Sequence, residues 1–452
     1  MIAVPVLYAA LCLGGTSRPM SLPKRLAVTF LCLGLCVACG AKIMPTPNLY
    51  ATARQPLFQE LSPELASTDL ELLYVTDRAR EDDESGAIRY GYERSTSVGY
   101  GLARLEIGRD MSWEELVAYS TTPSTGRRPS VRVESVTELG RLPATPYLFR
   151  IQPQGLVELA PEVIAEWDEA LARARRVLLE RLALTPRKEV FMYVHGVGNS
   201  FEDAVLAMGE AWHFLGREGV PIAYTWPAGR GGLLFYGYDR ESGDFTIFHL
   251  KQLFEALASI PEVEKVHVVA HSRGTDVTMT ALRELVIAAR AAGRKPREYL
   301  KIENLILAAA DLDFGVTMQR LVAEALGPAF GRITVYVNAD DDAMSAANAL
   351  MGSRLRVGAL QREGLSEEQR SVLAETANLD IVSYRGSTGG SFGHGYFREN
   401  PAVSSDLIAR VRYGLLPGEG LRSGLRRMEE GSNFWVIDDD FLATPPVGGV
   451  PR

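Results

Sequence analysis

The sequence predicts an α/β domain built on a mostly parallel sheet of about eight strands with helices on both faces. Two observations predict it. From residue 189 onward, six short runs, "VFMYV", "PIAYTW", "VHVVA", "NLILAA", "ITVYVN" and "DIVSYR", alternate with segments of helical character such as "SFEDAVLAMGEAWHFL", "TDVTMTALRELVIAARAAG" and "VSSDLIARVRYG". The strand runs are almost continuously apolar rather than apolar at every second residue, as strands covered on both faces must be. Upstream, "LELLYVTDR" and "GYGLARLEIG" supply two further strands.

The remaining elements fall into place around these. "PEVIAEWDEALARARRVLLERLAL" opens with Pro and an early Glu and closes with Arg, which suits a helix whose dipole is positive at its start. "EDDESGAIRYGYERSTSV" is charged and Gly-containing and reads as a surface loop. "AYSTTPSTGRRPS" reads as a mobile excursion, and "TPYLFRIQPQG" as a short strand. "YGYDRESGDF" suits either part of a lid or a surface loop. The folded domain is expected over residues 70–415, with a Pro-containing tether at 40–69 and a tail without assigned chemistry at 416–452.

Composition narrows the function. Of 452 residues, 46% are hydrophobic and 23% charged, ample for a large core. A net charge of -8 disfavours nucleic acid as a partner, because phosphate contacts need clustered Lys and Arg. Cys12, Cys32, Cys36 and Cys39 all lie in the first forty residues, so neither a disulfide nor a thiolate metal site belongs to the main body. The six histidines show no paired metal-ligand spacing, and no metal or other cofactor is expected.

The first 39 residues read as an export signal. Lys24 and Arg25 precede the short apolar run "LAVTFLCLGLCVA", and Met20 offers an alternative start. The run ends in Cys36-Val37-Ala38-Cys39-Gly40, which resembles a bacterial lipobox except for Cys36 where Leu is usual. The expectation is a cell-envelope protein held to the membrane by lipid on Cys39; a plain cleaved signal and an uncleaved anchor are the alternatives.

The chemistry centres on "VVAHSRGTDV". A strand that ends in Ala270-His271-Ser272-Arg273-Gly274 and resumes as a helix has the form of a nucleophile elbow, with small residues flanking a serine pushed out of a tight turn. A serine needs a base, and the base needs an orienting acid. His394, in "GGSFGHGYF", is the single histidine after Ser272, and it follows the eighth expected strand. The acid should follow a strand between them. Asp340, Asp341 and Asp342 do so; Asp341 is the first choice and Asp340 the second, with Asp311 or Asp313 as alternatives. Strand "VFMYV" runs into His195-Gly196-Val197-Gly198-Asn199, which resembles an oxyanion loop. The backbone N–H groups of Val197 and Arg273 are the expected oxyanion donors. His195 and His271 are expected to pack or hydrogen-bond, and Trp226 and Pro227 either to wall an acyl pocket or to sit in the core.

Together "LLYVTDR", "VHGVGNSFEDA", "YTWPAG", "YGYDRESG", "VVAHSRG", "LILAAADLD", "VYVNADDDAM" and "GHGYF" resemble an uncharacterised bacterial family of α/β-hydrolase, or esterase/lipase-superfamily, proteins over roughly residues 70–415. The resemblance implies an α/β-hydrolase fold and a Ser272, Asp341, His394 triad, and it names no substrate. It departs from the familiar pattern at Arg273, where an uncharged residue is usual. The expected activity is hydrolysis of a small-molecule or lipid-like ester. A thioesterase, amidase or peptidase would use the same triad, and a non-catalytic envelope scaffold would share the fold.

Overall fold

The computed structural model describes residues 41–443, apart from 60, 83–85, 125–126, 156, 230–235, 342, 345–354 and 387–392. The expected export signal, Cys39 and Asp342 lie outside the described residues. No described helix is long and apolar enough to cross a membrane.

Eight strands run parallel through the centre of one mixed sheet: β13 (Phe434–Ile437), β11 (Leu379–Tyr384), β10 (Arg332–Asn338), β9 (Ile302–Ala308), β8 (Lys265–His271), β6 (Glu189–Val194), β7 (Val220–Thr225) and β1 (Asp69–Asp82). β2 (Ile88–Ile107) and β3 (Val131–Arg141) continue it antiparallel beyond β1, and β12 (Arg426–Arg427) ends the other edge, giving an 11-stranded sheet among the described residues. β4 (Phe149–Ile151) and β5 (Val157–Leu159) form a separate ribbon.

The α/β class therefore holds, with a larger sheet than the expected eight strands. All eight anticipated strands are present, and β3, β12 and β13 are additional. "VRVESVTELGR" escapes a search for buried apolar runs because β3 is an edge strand that alternates apolar and exposed polar residues. The segment expected as a loop at 81–98 is mostly strand: β1 and β2 form a long hairpin in which Arg80 pairs with Tyr90, and Tyr90 is buried against Tyr74.

The central strands show why the runs are continuously apolar. In β6, Val190, Met192 and Val194 point into one core with Leu250, Phe254, Leu282 and Leu285, while Phe191 and Tyr193 point into the opposite core with Val205, Met208, Leu407 and Ile408. Helices Tyr236–Ser259 and Gly274–Ala291 cover the first face; Phe201–Phe214 and Pro401–Tyr413 cover the second. "YGYDRESGDF" is helical rather than a loop: its residues form the first turns of helix Tyr236–Ser259.

Both expected flanks belong to the body. Within the proposed tether, Ile43, Leu49, Tyr50 and Leu57 are buried in the second core, Lys42 bridges to Ser130, and Tyr50 Oη donates to the Phe214 carbonyl. Polar residues around these few apolar side chains disguise the segment as a linker. In the proposed tail, β13 adds to β11 with Trp435 and Ile437 buried.

A docked segment differs measurably from a tether. Leu49 is 0% exposed, so Leu49→Ala should destabilise the domain by about 2–5 kcal/mol in urea unfolding, whereas a free tether would register no change.

Candidate active site

β8 carries the chain to the carboxyl edge of the sheet and stops at His271. Ser272 then takes φ 52°, a left-handed conformation costly for a residue with a side chain, and helix Gly274–Ala291 starts two residues later. The Ser272 N–H donates to the Ala308 carbonyl at 3.0 Å, and its own carbonyl accepts from Thr275 at 3.1 Å and Asp311 at 3.3 Å. These bonds fix the turn from three directions.

Loop 195–199 passes directly over this turn. A Cβ on Gly196 would lie 2.6 Å from Ser272 Cβ, and one on Gly274 would lie 2.3 Å from the His195 carbonyl oxygen. Both positions require glycine because the two backbones touch. The approach brings Val197 and Arg273 beside Ser272, and neither of their N–H groups has a hydrogen-bond partner among the described residues. The neighbouring Gly198 N–H is already taken by Asp239 at 2.9 Å.

The carboxylate and imidazole meet at the same edge. Asp341 is 0% exposed; its Oδ2 accepts from His394 Nδ1 at 2.7 Å and its Oδ1 from the Met344 N–H at 3.1 Å. With Nδ1–H committed to the carboxylate, Nε2 is left as the basic nitrogen. The His394 loop is pinned by Asn338, which donates to the Gly393 carbonyl at 3.3 Å, and by His271, whose Nε2 lies 3.3 Å from the His394 carbonyl. The His271 and His394 rings are 4.7 Å apart, so the residue before Ser272 touches the proposed base. Among the described residues no hydrogen bond joins the Ser272 hydroxyl to His394, a contact that in hydrolases often tightens only when substrate binds.

The other candidate acids are otherwise engaged. Asp311 accepts from Tyr236 Oη at 2.6 Å and pairs with Arg356 at 3.0 Å. Asp313 caps the helix that follows it by accepting from the Val316 N–H. Asp340 is exposed and precedes the buried turn. Arg273, the residue that departs from the familiar motif, turns its guanidinium to Asp276 at 2.8 Å.

Each remaining histidine is bound into the scaffold. His195 stacks on Trp226 at 5.0 Å and accepts the Trp226 N–H at Nε2, while its Nδ1 lies 2.8 Å from the Gly196 carbonyl. Trp226 is thus a core residue that holds the start of loop 195–199; Pro227 is buried beside it. His213 sits between Ser120 and Arg217, and His267 between Glu189 and Asn304. His249 bridges Asp77 and Thr145, another hydroxyl, imidazole and carboxylate in line. The Thr145 hydroxyl, however, is also within 3.0 Å of the Thr96 carbonyl, and His249 is 1% exposed. His394, at 19%, is the more open ring. Among the described residues no cluster of His, Cys, Asp or Glu could hold a metal ion.

The sequence reading missed Asn338, Asp239 and Arg78 as parts of this edge. Nothing in the spacing of Arg78 and Asp239 shows that the topology returns them to loop 195–199.

Residues 170–411, just over half of the 452, match the model of a family described as "Alpha/beta hydrolase of unknown function (DUF900)". The chain belongs to that family. No curated protein sequence matches this hydrolase. Among solved structures it is similar to an esterase of Pyrobaculum calidifontis, at 12% identity and TM-score 0.25 over 57% of this chain and 99% of that one. It is similar also to esterase Est22, at 11% identity and TM-score 0.28 over 91% of this chain and 96% of that one. Likenesses at these scores carry no argument about substrate.

Burial and the nearby Arg78 charge lower the His195 pKa to about 3, so the ring is neutral in the folded hydrolase. An unfolded ring takes up its proton near pH 6.5, and below that value the unfolded chain binds the more protons. Stability should therefore fall on acidification from pH 6.5 to 5, with a shallower slope in His195→Asn. Urea midpoints across that interval test this.

Proposed function

We propose that this chain is a serine hydrolase of carboxylic esters that works through an acyl-enzyme. The observation that carries the reading is the 2.7 Å Asp341–His394 pair at the edge where Ser272 leaves β8 in a left-handed turn. Ser272 Oγ attacks the ester carbonyl carbon as His394 Nε2 takes its proton, and Asp341 stabilises the resulting imidazolium. The oxyanion is received by the Val197 and Arg273 N–H groups. Collapse of the tetrahedral adduct breaks the bond to the alcohol, which leaves with the proton from Nε2. Water then repeats the sequence on the acyl-enzyme and releases the acid.

The proposed setting is the bacterial cell envelope, with the body in water and lipid on Cys39 as the membrane anchor. A carboxylesterase or lipase-like acyl hydrolase fits this setting, its substrate a small-molecule or lipid-like ester.

Two measurements test the proposal. Ser272→Ala should abolish fluorophosphonate labelling and reduce p-nitrophenyl ester hydrolysis by at least about 10³-fold, with an unchanged circular dichroism spectrum; labelling that persists would remove Ser272 from the role. For the anchor, incorporation of radiolabelled palmitate should disappear in Cys39→Ala, and a mature protein without acyl chains by mass spectrometry would refute it.

A further inference from the structure

The oxyanion loop is held from two sides by a buried cation and a buried anion that the sequence places far from it. Arg78, at the end of the buried part of β1, is 1% exposed. Its Nη2 donates to the Asn199 carbonyl at 2.8 Å, and its Nη1 donates to the Gly91 carbonyl at 2.8 Å and the Ala228 carbonyl at 2.7 Å. One guanidinium thus gathers three chain segments: the β2 arm, the turn after β7 and the oxyanion loop. Asp239, in the first turn of helix Tyr236–Ser259 and 3% exposed, does the converse. Its Oδ2 accepts from the Gly198 N–H at 2.9 Å and the Gly229 N–H at 3.3 Å.

These contacts act on consecutive residues of the loop. Asp239 fixes the direction of the Gly198 N–H, and Arg78 fixes the Asn199 carbonyl one residue on. The turn after β7 is pressed against the same place: Gly229 takes φ +106°, and a Cβ on it would lie 2.6 Å from the Asn199 carbonyl oxygen. His195, at the start of the loop, is clamped by Trp226, and Arg78 Nη2 lies 3.4 Å from its ring. Val197, between His195 held by Trp226 and Gly198 held by Asp239, keeps an N–H without a partner among the described residues.

We propose that Arg78 and Asp239 are positioning residues that preform the oxyanion hole, holding loop 196–199 so that the Val197 N–H faces the site beside Ser272. The inference rests on the serine-hydrolase reading and adds the source of the loop's geometry. Neither residue touches the reacting atoms; both act through backbone. Lysine at position 78 would keep a cation but lose the planar fork that serves carbonyls in different directions. A donor displaced from the oxyanion weakens the transition state more than the bound ester, so the loss belongs in kcat.

The test uses the full chain with p-nitrophenyl ester kinetics, each variant normalised to its endpoint titre with a fluorophosphonate so that a misfolded fraction does not count. Arg78→Lys should lower kcat per titrated site by about 10- to 100-fold, less than outright removal of an oxyanion donor. KM should stay within about 3-fold, and affinity for a boronic acid, whose tetrahedral adduct places an oxygen in the hole, should fall in parallel with kcat. An unchanged kcat per titrated site, or a loss confined to KM, would overturn the proposal. Should Arg78→Lys not fold, Asp239→Asn decides in the same assays: a kcat loss of several-fold with matching loss of boronic acid affinity supports it, and unaltered values overturn it. Absence of both labelling and hydrolysis in the unmodified protein would instead refute the serine-hydrolase reading, and this inference with it.

Discussion

The contact between two stretches of backbone, loop 195–199 and the turn at 271–274, is what the rest of the site depends on. Glycine at 196 and at 274 lets the His195 carbonyl and the Ser272 side chain occupy space that any Cβ would fill. That approach brings together Ser272 and two N–H groups, those of Val197 and Arg273, that have no hydrogen-bond partner among the described residues. Everything further out serves to keep the two stretches together: Trp226 and Arg78 around His195, Asp239 under Gly198, and Ala308 behind Ser272. The left-handed strain at Ser272 persists because these bonds over-determine it.

The imidazoles illustrate how environment sorts residues of one type. His195, His213, His267 and His271 are all held below their ordinary pKa, in each case chiefly by burial, which disfavours the charged ring. They serve as neutral hydrogen-bonding spacers. His394 differs in being partly open while tied to a fully buried carboxylate. A ring so placed can accept a proton and have the new charge stabilised, which is the requirement for a base that must also return it.

Much of this was legible in the residues, for physical reasons that can be named. Parallel strands buried on both faces have to be apolar throughout, and so β6, β8 and β9 announce themselves. The small residues around Ser272 and the shortage of histidines after it made Ser272, Asp341 and His394 nameable, and the fold brings His394 onto Asp341 and onto the residue preceding Ser272. What stayed hidden was hidden for separate reasons. β3 buries Val131 alone and leaves its other apolar residues half-buried, the segment at 43–57 spreads its few buried side chains among polar ones, and Arg78 and Asp239 act on backbone groups more than a hundred and about forty residues away in sequence respectively. Contacts made to backbone leave no partner signature in side-chain identity.

The segment at 41–57 and the last part of the chain also have a bearing on how the molecule comes to be made. The Leu49 N–H donates to Ser405 Oγ at 2.9 Å, and Asn48 Nδ2 donates to the Phe441 carbonyl at 2.8 Å. β13, at 434–437, pairs with a strand some fifty residues earlier. A seam of the body is thus closed between residues that lie 356 and 393 positions apart in the chain. Until those later residues have been made, Asn48 and Leu49 lack these partners, so this seam closes after the central strands have been synthesised.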